Sequence, residues 1–132
     1  MIVIDSNVWI FSESANSEEH DIAVKKVNEI FDSDTFGINV VITSEVYHIL
    51  GKFLGVKESR SRVTDILEHP LAQWLPFSDQ IALDAVKLAY SSQMRINDAL
   101  IAQQALKVGA PVLTDNVKDF EKVKNLEVLL LR

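Results

Sequence analysis

Four acidic residues follow predicted strands or open a predicted helix, where their side chains could act together. Asp5 and Asp115 each follow an apolar run typical of a buried strand, Glu45 follows a third run, and Asp98 opens a helix. Each alone could simply cap or start a helix. Because parallel strands end at one edge of a sheet, the four carboxylates can instead converge there, which raises their pKa values unless a cation neutralises them. The sequence therefore predicts a cation site.

A site built only from oxygen ligands suits Mg²⁺, with Mn²⁺ as a substitute. Such an ion can hold a phosphodiester, activate water and stabilise the leaving oxygen. The chain has no cysteine, which excludes zinc–thiolate, iron–sulfur and thiol-nucleophile chemistry. Glu45 and His48 form one Glu-x-x-His unit, but di-iron bundles need two such units on an all-α scaffold. Metal-dependent phosphodiester chemistry is therefore the reaction class that these residues favour.

Segments typical of strands and helices alternate from end to end of the chain. Apolar, β-branched runs predict strands at residues 2–4, 37–42, 73–77, 111–113 and 127–131. Helical spacing and capping residues predict helices that begin near Ser17, at Thr43 or Ser44, at Val56, at Ser78, at Asn97 and at Lys118. This alternation predicts an α/β fold with right-handed crossovers and a mostly parallel sheet of about five strands. We expect residues 1–132 to form a single domain.

Composition narrows the class of protein further. Apolar residues make up 48% of the chain, enough for a core without disulfides or metal staples. No apolar run approaches the roughly 20 residues of a membrane span, and the N-terminal residues lack the features of a signal peptide. We therefore expect a cytoplasmic protein without membrane contact. The formal net charge of −6 is unusual for a nucleic-acid-binding protein but is compatible with an enzyme whose acids surround a cation.

One basic cluster stands out against this acidic composition. It comprises Lys52, Lys57, Arg60 and Arg62. These side chains could contact RNA phosphates, because Lys and Arg supply most nonspecific affinity for nucleic acids. The alternative is a solvated helix face, and the sequence leaves both interpretations open.

The segment from Val46 to Leu67, which contains this cluster, carries two helical apolar stripes. A small sheet and the remaining helices have limited surface to cover both, and uncovered apolar stripes tend to mark partner contacts. Two-fold dimers are the commonest soluble oligomers. We therefore predict a homodimer with the basic cluster near its two-fold axis. The alternative is that both stripes pack inside one monomer.

The order of these motifs resembles that of the PIN-domain nucleases, most closely the VapC-type toxins of prokaryotic toxin–antitoxin pairs. Four segments carry the resemblance, namely the strand–Asp–Ser–Asn opening at 2–7, Ser44-Glu45, Asn97-Asp98-Ala99-Leu100-Ile101-Ala102, and the Thr-x-Asn…Asp-Phe segment at 113–120. The resemblance implies a three-layer α/β/α sandwich and an endoribonuclease dependent on Mg²⁺ or Mn²⁺. It also implies a homodimer and a partner antitoxin.

The same resemblance implies the roles of individual residues. Asp5, Glu45, Asp98 and a fourth residue would hold the metal, and Ser6, Asn7 and Thr114 would support them. Many family members have the fourth acid at the position of Asn116, so this chain departs from the pattern. We favour Asp115 as the fourth ligand, with Asp119 or the amide oxygen of Asn116 as alternatives.

Two other functions remain compatible with the sequence. The chain could be a PIN-like module that binds RNA or protein with weak or no activity, which its acidic charge and Asn116 favour. It could also be a PIN nuclease that processes RNA without being a toxin. The sequence specifies neither the RNA target nor the antitoxin.

Overall fold

A five-stranded sheet, in which all neighbouring strands are parallel, forms the centre of the molecule. The structure is a computed structural model that describes residues 1–132. The strands are β1 (Ile2–Ile4), β2 (Phe36–Ile38), β3 (Ala72–Trp74), β4 (Val112–Thr114) and β5 (Val128–Leu130). Their order across the sheet is β3-β2-β1-β4-β5. The predicted α/β fold is confirmed, and the sheet is wholly rather than mostly parallel.

Seven helices connect the strands: α1 (Ser6–Glu13), α2 (His20–Ser33), α3 (Val40–Leu54), α4 (Val56–Leu67), α5 (Asp79–Ser92), α6 (Ile96–Val108) and α7 (Val117–Phe120). The chain proceeds from β1 through β2 to β3 in one direction, and then crosses to β4 and β5 on the other side of β1. Right-handed crossovers therefore put α1 to α4 on one face of the sheet and α5 to α7 on the other. This arrangement is the expected three-layer α/β/α sandwich, with its topological switch point between β1 and β4.

The central strands are unbroken apolar runs because helices cover both of their faces. Val3, Ile4, Val112 and Leu113 are all buried in a core cluster of 27 residues. Local signals set several helix ends. Ser78 caps α5 by accepting a hydrogen bond from the backbone of Ile81, and α3 and α6 end at glycines with positive φ, Gly55 and Gly109. No helix is both long and apolar enough to cross a membrane.

The second predicted strand is wrong beyond Ile38, because Val40–Ile42 form the first turn of α3. The β-branched residues there favour a strand locally, but Asn39 starts a helix by accepting a hydrogen bond from the Ile42 backbone at 2.8 Å. Asn39 is fully buried and donates to the side chain of Gln104 on α6 at 2.7 Å. The cap of α3 is thus a local signal, and a contact between residues 65 positions apart holds the capping side chain in the core.

The first helices also differ from the prediction. The chain forms α1 immediately after β1, and α2 begins at His20 rather than after Ser17. Ser17 instead closes a turn, in which its hydroxyl donates to the Ser14 carbonyl at 2.8 Å. Thr43 and Ser44, predicted as alternative caps of the next helix, lie inside α3. The third strand is shorter than predicted and ends at Trp74.

The two apolar stripes between residues 46 and 67 pack against each other and the sheet. Val46 and Leu50 of α3 and Val63 and Ile66 of α4 are all buried in the core cluster. One end of each stripe stays uncovered, however, because Phe53 is 73% exposed and Leu67 is 38% exposed. The homodimer through this segment therefore stays a prediction.

Candidate active site

Asp5 lies at the carboxyl end of β1, beside the switch point of the sheet, where ligands of open α/β folds bind. Its side chain is 2% exposed. One carboxylate oxygen caps α1 by accepting from the Ser6 backbone at 2.8 Å, and the other accepts from the Thr114 hydroxyl at 2.7 Å. The capping role and the site role that the sequence offered as alternatives thus coexist, because each uses a different oxygen.

Glu45 is brought to Asp5 by α3. The Ser6 hydroxyl lies 3.1 Å from one Glu45 carboxylate oxygen and 3.4 Å from Asp5. The other Glu45 oxygen lies 3.5 Å from the Arg95 guanidinium. Glu45 is in the second turn of α3 and does not directly follow a strand, so the capping of α3 by Asn39 sets its position.

Asp98 is held in the first turn of α6, with 6% of its surface exposed. One of its oxygens accepts a hydrogen bond from the Asn116 amide at 3.2 Å. The same amide donates to Asp119 at 3.0 Å, so Asn116 connects two carboxylates. The Asn116 backbone donates to the Thr114 hydroxyl at 2.9 Å, which ties this pair to the Asp5 side.

Asp115, our preferred fourth ligand, is directed elsewhere. Both of its carboxylate oxygens pair with the Arg132 guanidinium, at 3.1 and 3.2 Å, and Arg132 also contacts Glu19 at 3.3 Å. Only the Asp115 backbone joins the site, by donating to the Asn7 side chain at 3.3 Å. The preference for Asp115 is therefore not supported, whereas Asn116 and Asp119 both join the hydrogen-bonded network.

Burial and the crowding of like charges shift the pKa values of the acids in this network. Loss of solvent raises the pKa of Asp5 to about 6, opposed by the Thr114 hydrogen bond and increased by Asp98 and Glu45. Burial likewise raises the pKa of Asp98, while Arg95 opposes this shift and Glu45 and Asp119 add to it. Hydrogen bonds from Asn116 and Lys122 lower the pKa of Asp119. The buried centre of the network thus lacks a full countercharge.

The donor set fits a divalent cation in its chemistry, because Asp5, Glu45, Asp98 and Asp119 offer only oxygen atoms and the buried charge needs neutralising. No three acidic or histidine side chains are grouped closely enough to hold an ion as they stand. Side-chain rotation would therefore have to accompany binding of an ion between these residues.

The predicted basic cluster makes no ion pair with these acids. Arg62 is held by Glu58 and Glu13, each at 3.1 Å, while Lys52, Lys57 and Arg60 are exposed. The cations that contact the network are Lys122, at Asp119, and Arg95, at Glu45; sequence reasoning missed Arg95. Its position three residues before Asp98, at the start of the same helix, was the signal that could have identified it.

The fold and this network define a class of protein, an all-parallel α/β domain with acidic oxygen donors at the switch point of its sheet. The sequence matches the PIN domain family over residues 2–126, and the chain belongs to that family. The predicted likeness to PIN-domain proteins is thereby confirmed. Comparison of the sequence with curated proteins gives no match.

Solved toxin structures share the fold. VapC20 of Mycobacterium tuberculosis, a toxin that cleaves the sarcin–ricin loop, has a TM-score of 0.78 at 16% identity, covering 97% of this chain and 98% of that one. VapBC2 of Rickettsia felis, bound to promoter DNA, has a TM-score of 0.77 at 18% identity and 98% coverage of both chains. DNA-bound VapBC of Salmonella typhimurium has a TM-score of 0.77 at 19% identity and 100% coverage of both chains. At these identities the likeness concerns the fold.

Replacing Asp98 with Asn should stabilise the metal-free protein at pH 8. The raised pKa of Asp98 means that its ionisation costs folding free energy, and this cost is absent below the pKa of the unfolded chain. The substituted amide would keep an oxygen acceptor for the Asn116 side chain. We expect the Tm to rise by a few degrees at pH 8 and to change little at pH 3, measured by thermal denaturation in EDTA. A lower Tm at pH 8 would show that Asp98 serves chiefly to stabilise the start of α6.

Proposed function

We propose that this chain is an endoribonuclease dependent on Mg²⁺ or Mn²⁺, and the toxin of a VapBC-type pair. The observation that carries the proposal is the buried Asp5 carboxylate, which faces Glu45 and Asp98 at the switch point without a full countercharge. Membership of the PIN domain family and the fold of the VapC toxins support it.

In this proposal Asp5, Glu45 and Asp98 hold the metal, and Asp119 or Asn116 completes the set. When bound, the ion would neutralise phosphodiester charge and activate water for attack on phosphorus. The chain's own polar groups orient the ligands. Ser6 holds Glu45, Thr114 holds Asp5, and Asn116 holds Asp98 and Asp119. No side chain is proposed as the nucleophile.

The direct test is cleavage of total RNA by the purified protein with Mg²⁺, with Mn²⁺ or with EDTA. We expect cleavage with either metal and none with EDTA. Cleavage that persists in EDTA would exclude the metal-dependent mechanism. Mapping of the RNA ends would identify the target, and an antitoxin-like reading frame immediately upstream would distinguish a toxin from an RNA-processing nuclease.

A second candidate function is a binding module without activity. The observation in its favour is that the acids are not grouped closely enough to hold an ion without rearrangement. Calorimetric titration with Mn²⁺ separates the two functions. Binding at millimolar or lower concentration supports the nuclease, and its absence supports the module.

Comparison of Asp119→Asn with Asp115→Asn should identify the fourth acid. Asp119 shares the Asn116 amide with Asp98, whereas Arg132 occupies both oxygens of Asp115. We expect Asp119→Asn to weaken Mn²⁺ binding and to lower kcat/KM by about tenfold to a hundredfold, the usual cost of losing an outer metal-site residue. Asp115→Asn should affect both by less than about threefold. The reverse order of effects would restore Asp115 as the fourth ligand.

An apolar groove lies between α1, α2 and α4 and is lined in part by Trp9, Phe31 and Ile66. An apolar helical segment would suit this groove. We propose the groove as the contact for the antitoxin.

The α5 helix offers a second apolar surface for the homodimer. This helix exposes Leu83, Val86 and Tyr90, whose exposed fractions are 67%, 46% and 84% and whose spacing puts them on one face. Light scattering at micromolar concentration should give the mass of a dimer for wild-type protein and of a monomer for Leu83→Glu. Lys25→Ala, on an exposed face of α2, should leave the mass unchanged. A monomeric wild-type protein with nuclease activity would contradict the prediction.

A further inference from the structure

Arg95 reaches across the fold to the acidic network. Its guanidinium lies 3.5 Å from Glu45, a residue 50 positions away in the sequence. The Arg95 side chain is 70% exposed, whereas the Glu45 side chain is only 19% exposed. The other cation at the network, Lys122, contacts Asp119 only three residues away, so its position follows from local spacing. The Arg95 contact depends on the tertiary fold and therefore calls for an explanation.

The backbone that carries Arg95 is anchored, whereas its side chain is largely exposed. The preceding Met94 is buried, and its backbone donates to the Ala89 carbonyl at 3.1 Å. Arg95 is the N-cap residue of α6, but its side chain makes no capping hydrogen bond. A change of partner by the guanidinium would therefore leave the capping of α6 unaffected.

In the absence of metal, Arg95 partly neutralises the carboxylates. It contacts Glu45 directly and favours the ionised form of Asp98. A divalent cation among Asp5, Glu45 and Asp98 would take over this neutralisation and repel the guanidinium. The released guanidinium would remain at the exposed edge of the site, and its planar set of donors matches the oxygens of a phosphate.

We propose that Arg95 exchanges partners, pairing with Glu45 before a divalent metal binds and with an RNA phosphate afterwards. This inference rests on the proposed nuclease function. It makes metal binding a condition for the Arg95 contact with RNA. It also gives an acidic protein a basic contact beside its site, which the ion-paired Arg62 does not supply.

The first measurement is Mn²⁺ affinity by calorimetry, which does not depend on activity. Arg95→Ala removes a positive charge that competes with the ion for Glu45. We expect Mn²⁺ to bind about threefold to tenfold more tightly to this variant. Arg95→Lys keeps the charge and should lie close to wild type. Lys25→Ala serves as the control, because Lys25 is exposed on α2, away from the acidic network. Equal melting curves would establish that the variants fold.

The second measurement is binding of a phosphorothioate RNA oligonucleotide, which resists hydrolysis, by fluorescence anisotropy. With Mn²⁺ present, the Arg95→Ala variant should bind the RNA about fivefold more weakly than wild type. Its affinity should also depend less steeply on salt concentration, by about the slope of one phosphate contact. In EDTA the variant and wild type should bind the RNA equally, because Arg95 is then paired with Glu45. Lys25→Ala should show no difference under either condition.

The outcomes distinguish a failure of the Arg95 exchange from a failure of the proposed nuclease function. A loss of RNA affinity that is equal with Mn²⁺ and with EDTA would overturn the exchange, since Arg95 would then contact RNA regardless of metal. Unchanged or weaker Mn²⁺ affinity in Arg95→Ala would also overturn it. Wild-type protein that binds no Mn²⁺ would overturn the proposed function together with the exchange. Metal-dependent cleavage by wild type, with Arg95→Ala equal to it in both assays, would overturn the exchange alone.

Discussion

Replacement of Asp5 by Asn should abolish metal-dependent RNA cleavage, lowering kcat/KM by at least about a hundredfold. Loss of a residue that only orients a metal ligand typically costs tenfold to a hundredfold, and Asp5 is the most buried acid of the proposed metal site. The substituted side chain would be close to aspartate in shape and would keep one acceptor for the Ser6 backbone. The measurement is cleavage of RNA under saturating Mg²⁺, and near wild-type activity would exclude Asp5 as a metal ligand.

In the absence of metal, the Asp5→Asn substitution should increase the free energy of unfolding. The pKa of Asp5 is raised from 3.8 to about 6, so the folded protein loses stability as the pH rises between these values. The full cost is on the order of 3 kcal/mol above pH 7. Loss of the Thr114 hydrogen bond removes about 1 kcal/mol of the gain in the Asp5→Asn variant.

Urea denaturation in EDTA at pH 8 and pH 3.5 measures this change. The gain of Asp5→Asn should appear at pH 8 and vanish at pH 3.5, where the wild-type carboxyl is largely protonated in both states. Asp32→Asn, at an exposed position of α2, should shift stability by no more than about 0.5 kcal/mol. A gain of equal size at both pH values would show that ionisation of Asp5 is not its cause.

Replacement of Asn39 by Ala should destabilise the protein by about 2–4 kcal/mol, the largest stability effect we expect. The substitution removes the cap of α3, worth about 1 kcal/mol, and leaves the buried Gln104 oxygen without its donor, at a cost of about 1–3 kcal/mol. Gln104 cannot turn its amide to compensate, because its nitrogen already donates to the carbonyls of Leu75 and Pro76. The measurement is urea denaturation at neutral pH.

Two further variants separate the contributions of Asn39. Asn39→Ser retains a capping oxygen but cannot reach Gln104, so it should recover only about 1 kcal/mol relative to Asn39→Ala. Ser78→Ala removes a cap that has no buried partner and should cost about 1 kcal/mol. If Asn39→Ala cost no more than Ser78→Ala, the Gln104 contact would contribute nothing to stability.

The sequence determined the features that depend on short-range signals. Unbroken apolar runs predicted β1 and β4 because strands covered on both faces need apolar residues throughout. Ser78, Gly55 and Gly109 marked helix ends because capping and positive φ are local requirements. The ends of the central strands and the start of α6 also directed attention to Asp5 and Asp98, since parallel topology brings such positions to one edge.

Only the tertiary structure decided where several polar side chains find their partners. Asn39 caps α3 locally, but only the fold joins it to the distant Gln104. Asp115 turns from the site because Arg132 pairs with it, and Arg95 reaches Glu45 across 50 residues. These contacts join residues that no helical or strand period relates, so their geometry exists only after the layers pack. Local periodicity therefore determined the elements and the candidate acids, whereas packing determined the partners of each acid.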